Sequence, residues 1–300
     1  MNQSSPTYAN AGIISLSAFF GCNGYKHFRA LELERYHVPR RLRVRPEYVP
    51  TKGEVYRMAD SAGSLRNRAL VLTMFSSGFR NSTVRALLVQ DVIKEIERGI
   101  PNIRLPCYLG MKKVVPNGCK GSIEYYSFTC DEATVALRLY LGERIRKNGE
   151  VKGEEPLFAS LYNQVPKEER QWKVMSAGEL QVVVKGAARK AGLAEWHSVY
   201  PHCLRKSYET ILHTQLLDGS NMEVKVQEVF MGHVLPRSQD NYFDRSKTEW
   251  MRIQYSKLNF GRILITDKFA VLRMAVARAF EGTDLDPEQL ILEYAKKYSG

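Results

Sequence analysis

One stretch of the chain has the pattern of β-strands, and it lies between segments with helical spacing. Residues 103–130 contain IRLPCYL and IEYYSFT, two runs rich in branched and aromatic residues, around the turn-rich GMKKVVPNGCKGS. Apolar residues recur at helical spacing on both sides of this stretch. Strands that alternated with helices would form a parallel sheet, whereas one hairpin or small meander among helices predicts a mostly helical α+β fold.

Helix start and stop signals divide the rest of the chain. Thr51, with an acidic residue three positions later, predicts a capped helix start, and SLRNRALVLTMFSSGF predicts the next helix. STVRALLVQDVIKEIERG predicts one continuous helix that Gly99 stops. Further helices are predicted in EATVALRLYLGERIRK, in SAGELQVVVKGAARKAG and directly after Pro201. The candidates for capping the STVRALLVQDVIKEIERG helix are Asn81, Ser82 and Thr83.

The charge of the chain indicates a polyanionic partner. Lysine and arginine outnumber aspartate and glutamate by 44 to 32, a formal net charge of +12, and the excess is spread along the sequence. Such a field attracts polyanions and raises their encounter rate, so nucleic acid is the predicted class of partner. The segment HVPRRLRVRPEYVPTK, residues 37–52, reads as an extended linker because of its prolines. It is either a solvated connector or a basic arm along a phosphate backbone.

Cysteine usage and hydropathy exclude several classes of protein. The five cysteines are an odd number without CxxC or Cys/His ligand spacing, which disfavours a disulfide framework and a structural zinc site. No basic region precedes the apolar stretch at residues 11–20, and no segment has the length of a membrane span. We therefore expect a cytoplasmic protein without a membrane partner. The predicted organisation is an N-terminal segment and basic linker (1–48), a main domain (49–262) and a C-terminal helical extension (263–300).

Six polar residues, far apart in the chain, form a set suited to phosphodiester chemistry. Each alone has an ordinary structural explanation; a tyrosine, for example, is most often core packing. In chain order the set is Arg80 in SGFRNST, Lys120 in CKGSIEYYSF, His202 and Arg205 in HCLRK, His233 in MGH, and Tyr242, nine residues after His233.

Two of these residue types address the main obstacles to phosphodiester cleavage. An anion must be attacked and a poor alkoxide must leave. Arg80 and Arg205 supply permanent charge, and guanidinium forks match the non-bridging oxygens of a phosphate. A hydroxyl nucleophile that forms a covalent intermediate conserves the bond energy for rejoining, and Tyr242 is the candidate. Its hydroxyl ionises only with help from nearby cations or a base.

The remaining three residues account for the protons. His202 is a candidate to accept the tyrosine proton, and Lys120 to donate one to the departing 5′ oxygen. His233 is a candidate to donate a hydrogen bond to the phosphate. This scheme requires no metal and no cofactor, and none is predicted.

In order and spacing, SGFR, HCLR, GH and the later tyrosine resemble the tyrosine recombinases, the lambda-integrase-like enzymes. The segments VPTKGEVYRMAD, IEYYSFT, PHCLRKSYETIL and MGHVLPRSQDNYFD look most like the archaeal integrases of viruses and other mobile elements. The resemblance covers roughly Val49 to Gly261 and implies a catalytic domain with a small sheet among helices. It implies Arg80 and Arg205 as phosphate clamp, His202 and His233 as the two histidines, and Tyr242 as nucleophile. For the hairpin lysine, Lys120 is the choice, with Lys113 and Lys112 as alternatives.

The sequence departs from the family pattern in two places. Thr83 stands three positions after Arg80, where an acidic residue is common, so the hydrogen bond of that acid must be replaced. The family also places a helical core-binding domain before the catalytic domain, and SLSAFFGCNGYKHFR resembles only the end of one. The alternatives are a chain that lacks its clamp and an unusual grip on the substrate.

The function that the resemblance implies is site-specific recombination of double-stranded DNA through a 3′-phosphotyrosine intermediate, with self-association as a dimer or tetramer on the DNA. A type IB topoisomerase activity would use the same residues without needing paired sites. A DNA-binding assembly subunit without turnover is the third alternative. The target site, and whether Tyr242 acts in its own subunit or in a neighbour, are left open by the sequence.

Overall fold

The computed structural model describes residues 6–24, 48–161, 166, 169–235 and 243–261. Contacts divide the chain into two units, residues 1–47 and residues 48–300. The described part of the first unit is helix α1 (Pro6–Cys22) and the turn that follows it. None of the described helices has both the length and the apolar character that crossing a bilayer requires. The predicted C-terminal extension, 263–300, lies outside the described residues.

In the described residues of the second unit, other helices and one small sheet surround a central helix. Its elements are α2 (Lys52–Asp60), α3 (Leu65–Ser77), α4 (Asn81–Ala86), α5 (Ile93–Glu97), β1 (Arg104–Cys107), α6 (Met111–Val114), β2 (Tyr125–Phe128), α7 (Asp131–Asn148), α8 (Ala177–Lys190), α9 (Pro201–Leu212), α10 (Val224–Phe230) and α11 (Thr248–Ser256). Helix α3 packs against α2, α7 and α9, and every residue from Ala69 to Ser77 is buried. A helix buried on all sides lies at the centre of a core. The predicted mostly helical α+β class is confirmed.

Two helix starts lie where the sequence predicted them. Thr51 caps α2: its Oγ1 accepts from the backbone N–H of Glu54, and the Glu54 carboxylate accepts from the backbone N–H of Thr51 at 2.9 Å. Helix α9 begins at Pro201, whose missing N–H costs nothing in the first turn. Local capping chemistry was sufficient for both predictions.

The prediction of one continuous helix in STVRALLVQDVIKEIERG is wrong. Helix α4 ends at Ala86, and α5 begins only at Ile93. Between them, the N–H groups of Val89 and Gln90 donate to carbonyls of residues 155 and 153, each at 2.9 Å. The capping prediction is also wrong, because the N-cap of α4 is Arg80 and no side chain caps it. A distant segment therefore takes the backbone donors that a continuous helix would have used.

The predicted hairpin is confirmed, although its connection is longer than a simple turn. Strands β1 and β2 are antiparallel, with Arg104 opposite Phe128 and Cys107 opposite Tyr125. The connection between them contains α6 and a one-turn 3₁₀ helix at Lys120–Ser122. The candidate lysine therefore lies on a structured turn.

Helix α11 is held on the second unit by polar and aromatic contacts. The Arg252 guanidinium contacts both carboxylate oxygens of Glu95, at 2.8 and 3.2 Å, and lies 4.9 Å from the centre of the Phe128 ring. The Tyr255 hydroxyl donates to the carbonyl of Ser76 in α3 at 2.6 Å. The chain that follows the candidate nucleophile is thus anchored to the central helix.

Candidate active site

A cleft of about 440 Å³ brings together three of the six predicted residues. Arg80 enters it from the start of α4, Lys120 from the 3₁₀ turn between the strands, and His202 from the first turn of α9. Arg85 of α4 also lines it, and sequence reasoning missed this residue because nothing local distinguishes it. None of the described residues that line the cleft is an aspartate or a glutamate.

The cations of the cleft have no carboxylate partner among the residues that the structure describes. Neither the Arg80 guanidinium nor the Lys120 ammonium makes a hydrogen bond or an ion pair with a described residue. The Nε of Arg85 donates to the Met175 carbonyl at 2.6 Å, and burial lowers the pKa of Arg85. The cleft therefore presents positive charge and donors to solvent, which suits an anion.

The turn that carries Lys120 is fastened to α4. Ser82 Oγ donates to the carbonyl of Asn117 at 2.7 Å, and the buried Thr83 Oγ1 donates to the carbonyl of Gly118 at 2.9 Å. Thr83, at the position where the family commonly has an acid, thus bonds to the backbone of the lysine turn. These two hydroxyls hold the turn beside Arg80.

The structure distinguishes among the three hairpin lysines, all of which it describes. Lys112 and Lys113 lie exposed on α6, and Lys112 Nζ donates to Ser122 Oγ at 2.6 Å. Of the three, Lys120 is the one that lines the cleft.

Arg205 is buried on α9, one helical turn after His202. Its Nη1 donates to the carbonyl of Gly78 at 2.5 Å, and its Nη2 donates to the carbonyl of Met231 at 2.6 Å. Its exposure is 4%, and no described carboxylate forms an ion pair with it. Burial lowers the pKa of Arg205, and the nearby charge of Arg80 lowers it further, but a guanidinium remains charged.

Glycines of the SGFR and MGH motifs set the positions of these two carbonyls. Gly78 follows α3 with φ of 63°, and Gly232 follows α10 with φ of 64°, both in the left-handed region. A Cβ on Gly78 would lie 2.1 Å from the ring of Tyr208, and one on Gly232 would lie 2.4 Å from the ring of Tyr125. Both helix ends therefore require glycine for backbone conformation and for space.

His202 is exposed on the N-terminal turn of α9. Its pKa is lowered by desolvation first and then by the positive charges of Arg205 and Arg80, while Glu209 acts in the opposite direction. A lowered pKa keeps the imidazole neutral near pH 7, which is the form that accepts a proton.

His233 links Arg205 to a carboxylate that sequence reasoning missed. Its Nε2 lies 3.3 Å from Nη2 of Arg205, and its Nδ1 lies 2.7 Å from Oε2 of Glu228. Glu228 is five residues before His233. The glycine at position 232 is the sequence feature from which their contact could have been predicted. A left-handed glycine at a helix end brings the residues on either side of it together.

Tyr242 lies outside the described residues, with the rest of residues 236–242. Its described neighbours belong to the second unit: Leu235 is buried, and Phe243 packs against the hydrophobic core. The Tyr126 hydroxyl donates to the carbonyl of Arg245 at 2.7 Å. The chain is therefore anchored on both sides of the candidate nucleophile.

The described residues contain no group of three or more His, Cys, Asp or Glu side chains placed to hold a metal ion.

No protein-family model and no curated protein matches the sequence.

Several solved structures resemble the chain. XerA recombinase is 18% identical over 92% of this chain and 76% of its own, with a TM-score of 0.45. The integrase from mycobacterium phage Brujita is 14% identical over 89% of this chain and 77% of its own, with a TM-score of 0.47. The Tn1549 transposon integrase, in complex with a circular intermediate DNA, is 17% identical over 84% of this chain and 80% of its own, with a TM-score of 0.49. Identities and TM-scores this low leave the assignment of function to this chain's own residues.

Proposed function

We propose that this chain is a site-specific DNA recombinase of the integrase type. It cleaves and rejoins DNA strands through a 3′-phosphotyrosine intermediate formed on Tyr242. The observation that carries the proposal is a cleft with two cations, Arg80 and Lys120, whose side chains pair with no described residue, and with no described carboxylate in its lining. A third cation, Arg205, is buried: two of its nitrogens donate to backbone carbonyls, and the imidazole of His233 lies beside one of these nitrogens.

A phosphate is the ligand that this arrangement of charge favours. Burying a guanidinium costs free energy that two carbonyl hydrogen bonds offset only in part. A diester brings one negative charge and two non-bridging oxygens, which pair with guanidinium donors. Arg80 and Arg205 are therefore the proposed phosphate clamp, and they stabilise the charge that develops in the transition state.

The proposed reaction is a pair of transesterifications. The Tyr242 oxygen attacks the phosphorus and loses its proton to His202, whose lowered pKa keeps it neutral. The bond to the 5′ oxygen breaks, and Lys120 donates the proton that the departing oxygen takes. His233 donates a hydrogen bond to the phosphate. A 5′-hydroxyl from a partner strand then attacks the phosphotyrosine and releases Tyr242.

Exchange between two sites requires that copies of the chain assemble on paired DNA, so self-association on DNA is part of the proposal. Because the sequence resembles archaeal integrases, the proposal includes that the chain is encoded by an archaeal mobile element. Short direct repeats that flank an integrated element carrying the gene would support that origin.

The test must work without a known target sequence. The substrate is a library of nicked duplexes with randomised sequence. Cleavage near the nick releases a short strand that dissociates, so it cannot rejoin the DNA. The covalent protein–DNA adduct therefore accumulates and can be detected because it resists detergent. We expect wild-type protein to form such adducts on a subset of sequences and Tyr242→Phe to form none while still binding DNA. Adducts formed by Tyr242→Phe would overturn the proposal.

Two further outcomes identify the alternative functions. Relaxation of supercoiled plasmid without paired sites, and without strand exchange, would indicate a type IB topoisomerase activity. DNA binding without any adduct from the wild type would indicate an assembly subunit.

A further inference from the structure

Helix α10 ends in a turn that brings Glu228 beside His233. The N–H of Gly232 donates to the carbonyl of Val229 at 2.9 Å, and the N–H of His233 donates to the carbonyl of Glu228 at 3.0 Å. With Gly232 in the left-handed region, these two bonds form a Schellman motif. The two residues that this motif juxtaposes usually make an apolar contact, but here they are a carboxylate and an imidazole.

The partners of the His233 ring determine its tautomer. A carboxylate oxygen only accepts, so Nδ1 must carry a proton and donate it to Glu228 Oε2 at 2.7 Å. A guanidinium only donates, so Nε2 must accept from Arg205 Nη2 at 3.3 Å. The ring is therefore held as the Nδ1–H tautomer, with Nε2 toward Arg205.

The bond to Glu228 is compatible with both protonation states of His233. To donate a hydrogen bond to a phosphate, Nε2 must first gain a proton. Nδ1 carries its proton before and after that gain, so the bond to Glu228 is kept while the role of Nε2 changes. A ring without this bond is free to turn or to adopt the other tautomer.

The Glu228–His233 pair is not a stability element. The two side chains are 40% and 39% exposed, and exposed ion pairs contribute little to folding. The Glu228 carboxylate makes no other hydrogen bond or ion pair with a described residue. Its one contact is thus directed at the ring that contacts Arg205.

We propose that Glu228 is a positioning residue for His233. Its carboxylate holds the imidazole so that Nε2 faces Arg205 and the phosphate that Arg205 binds. The identity of that anion rests on the proposed function; the orientation of the ring does not.

The experiment compares Glu228→Gln with Glu228→Met in the full chain. Glutamine keeps an acceptor for Nδ1–H, whereas methionine matches the length of the side chain and removes the acceptor. Glu223→Met is the matched control, because Glu223 is an exposed acid at the start of the same helix that makes no contact with His233. Two readouts are used: nitrogen-15 resonances of the His233 ring, assigned with His233→Gln, and the rate of adduct formation on a nicked duplex recovered from the library.

In Glu228→Met we expect the nitrogen resonances to move away from the Nδ1–H pattern and the adduct rate to fall about tenfold to a hundredfold, the range for losing a hydrogen bond to a charged group. Glu228→Gln should keep the Nδ1–H pattern and recover most of the rate, and Glu223→Met should match the wild type.

Unchanged resonances in Glu228→Met would overturn the proposal, and so would an unchanged adduct rate when the wild type is active. If the wild type forms no adduct but Glu228→Met still moves the resonances, the proposed function fails and the positioning of His233 by Glu228 stands.

Discussion

Gly232→Ala is expected to destabilise the protein by more than its backbone conformation explains. The φ of 64° at Gly232 costs about 1–2 kcal/mol for any residue with a Cβ. The added Cβ would lie 2.4 Å from the Tyr125 ring. That ring is 5% exposed and packs edge-on against Phe79 with centroids 5.4 Å apart, so it has little room to move. Displacing it adds about 1–3 kcal/mol, and we expect a total loss of about 2–5 kcal/mol in the free energy of unfolding.

Gly99→Ala separates the two contributions. Gly99 has φ of 75°, but no atom lies within 4 Å of the position its Cβ would take. Its substitution therefore carries only the backbone cost of about 1–2 kcal/mol. Urea unfolding followed by circular dichroism measures both variants, and an unchanged m-value would show that the native and unfolded states keep their compactness.

A double-mutant cycle assigns the difference to the ring. In a Tyr125→Ala background the space beside Gly232 is open, so Gly232→Ala should cost no more than Gly99→Ala. The resulting coupling energy between the two sites should be about 1–3 kcal/mol. If Gly232→Ala and Gly99→Ala cost the same in the wild-type background, ring contact is not what requires glycine here. The left-handed φ of Gly232 would then be the remaining reason for glycine at this helix end.

Three further predictions concern the cleft. Lys120→Ala should slow adduct formation by about 10²–10⁴-fold, as loss of a general acid does, while Lys112→Ala stays near the wild-type rate. A substrate with sulfur in place of the leaving 5′ oxygen should restore Lys120→Ala, and failure of that rescue would contradict the role of Lys120. An NMR titration of His202 should have its midpoint below the ordinary 6.5, because desolvation and two arginines lower its pKa. Glu209→Gln should lower the pKa of His202 further, because the Glu209 carboxylate raises it. A rise in the pKa of His202 in that variant would refute the effect assigned to Glu209. Thr83→Val should cost about 0.5–1.5 kcal/mol of stability, because the Gly118 carbonyl loses its hydroxyl donor and keeps the weak thiol donor of Cys107 at 3.7 Å. It should also slow adduct formation, whereas Thr83→Ser should do neither.

Local chemistry accounts for the parts of the fold that the sequence predicted correctly. The Thr51 capping box and the proline at the start of α9 act within one turn, so residue types and spacing suffice. The hairpin was predictable because branched and aromatic runs flank a turn-rich segment.

The helix predicted over residues 82–99 is an element that local sequence could not predict correctly. Its pattern is helical, but Val89 and Gln90 donate to carbonyls more than sixty residues later in the chain. Hydrogen bonds to a remote segment satisfy the backbone as well as those within a helix, and no property of residues 82–99 reveals that segment.

For the candidate site, the sequence by itself determined which residues have the chemistry that phosphate transfer requires: guanidiniums, imidazoles, an ammonium and a tyrosine at fixed intervals along the chain. The tertiary structure decided which of them meet. It placed Lys120, and neither Lys112 nor Lys113, in the lining of the cleft, where Ser82 and Thr83 bind the lysine turn. It also set Arg205 between carbonyls at two helix ends. It also added Glu228, through a helix end that turns back on itself. The physical reason is that residue type carries chemical capacity, whereas proximity depends on backbone contacts between segments far apart in sequence.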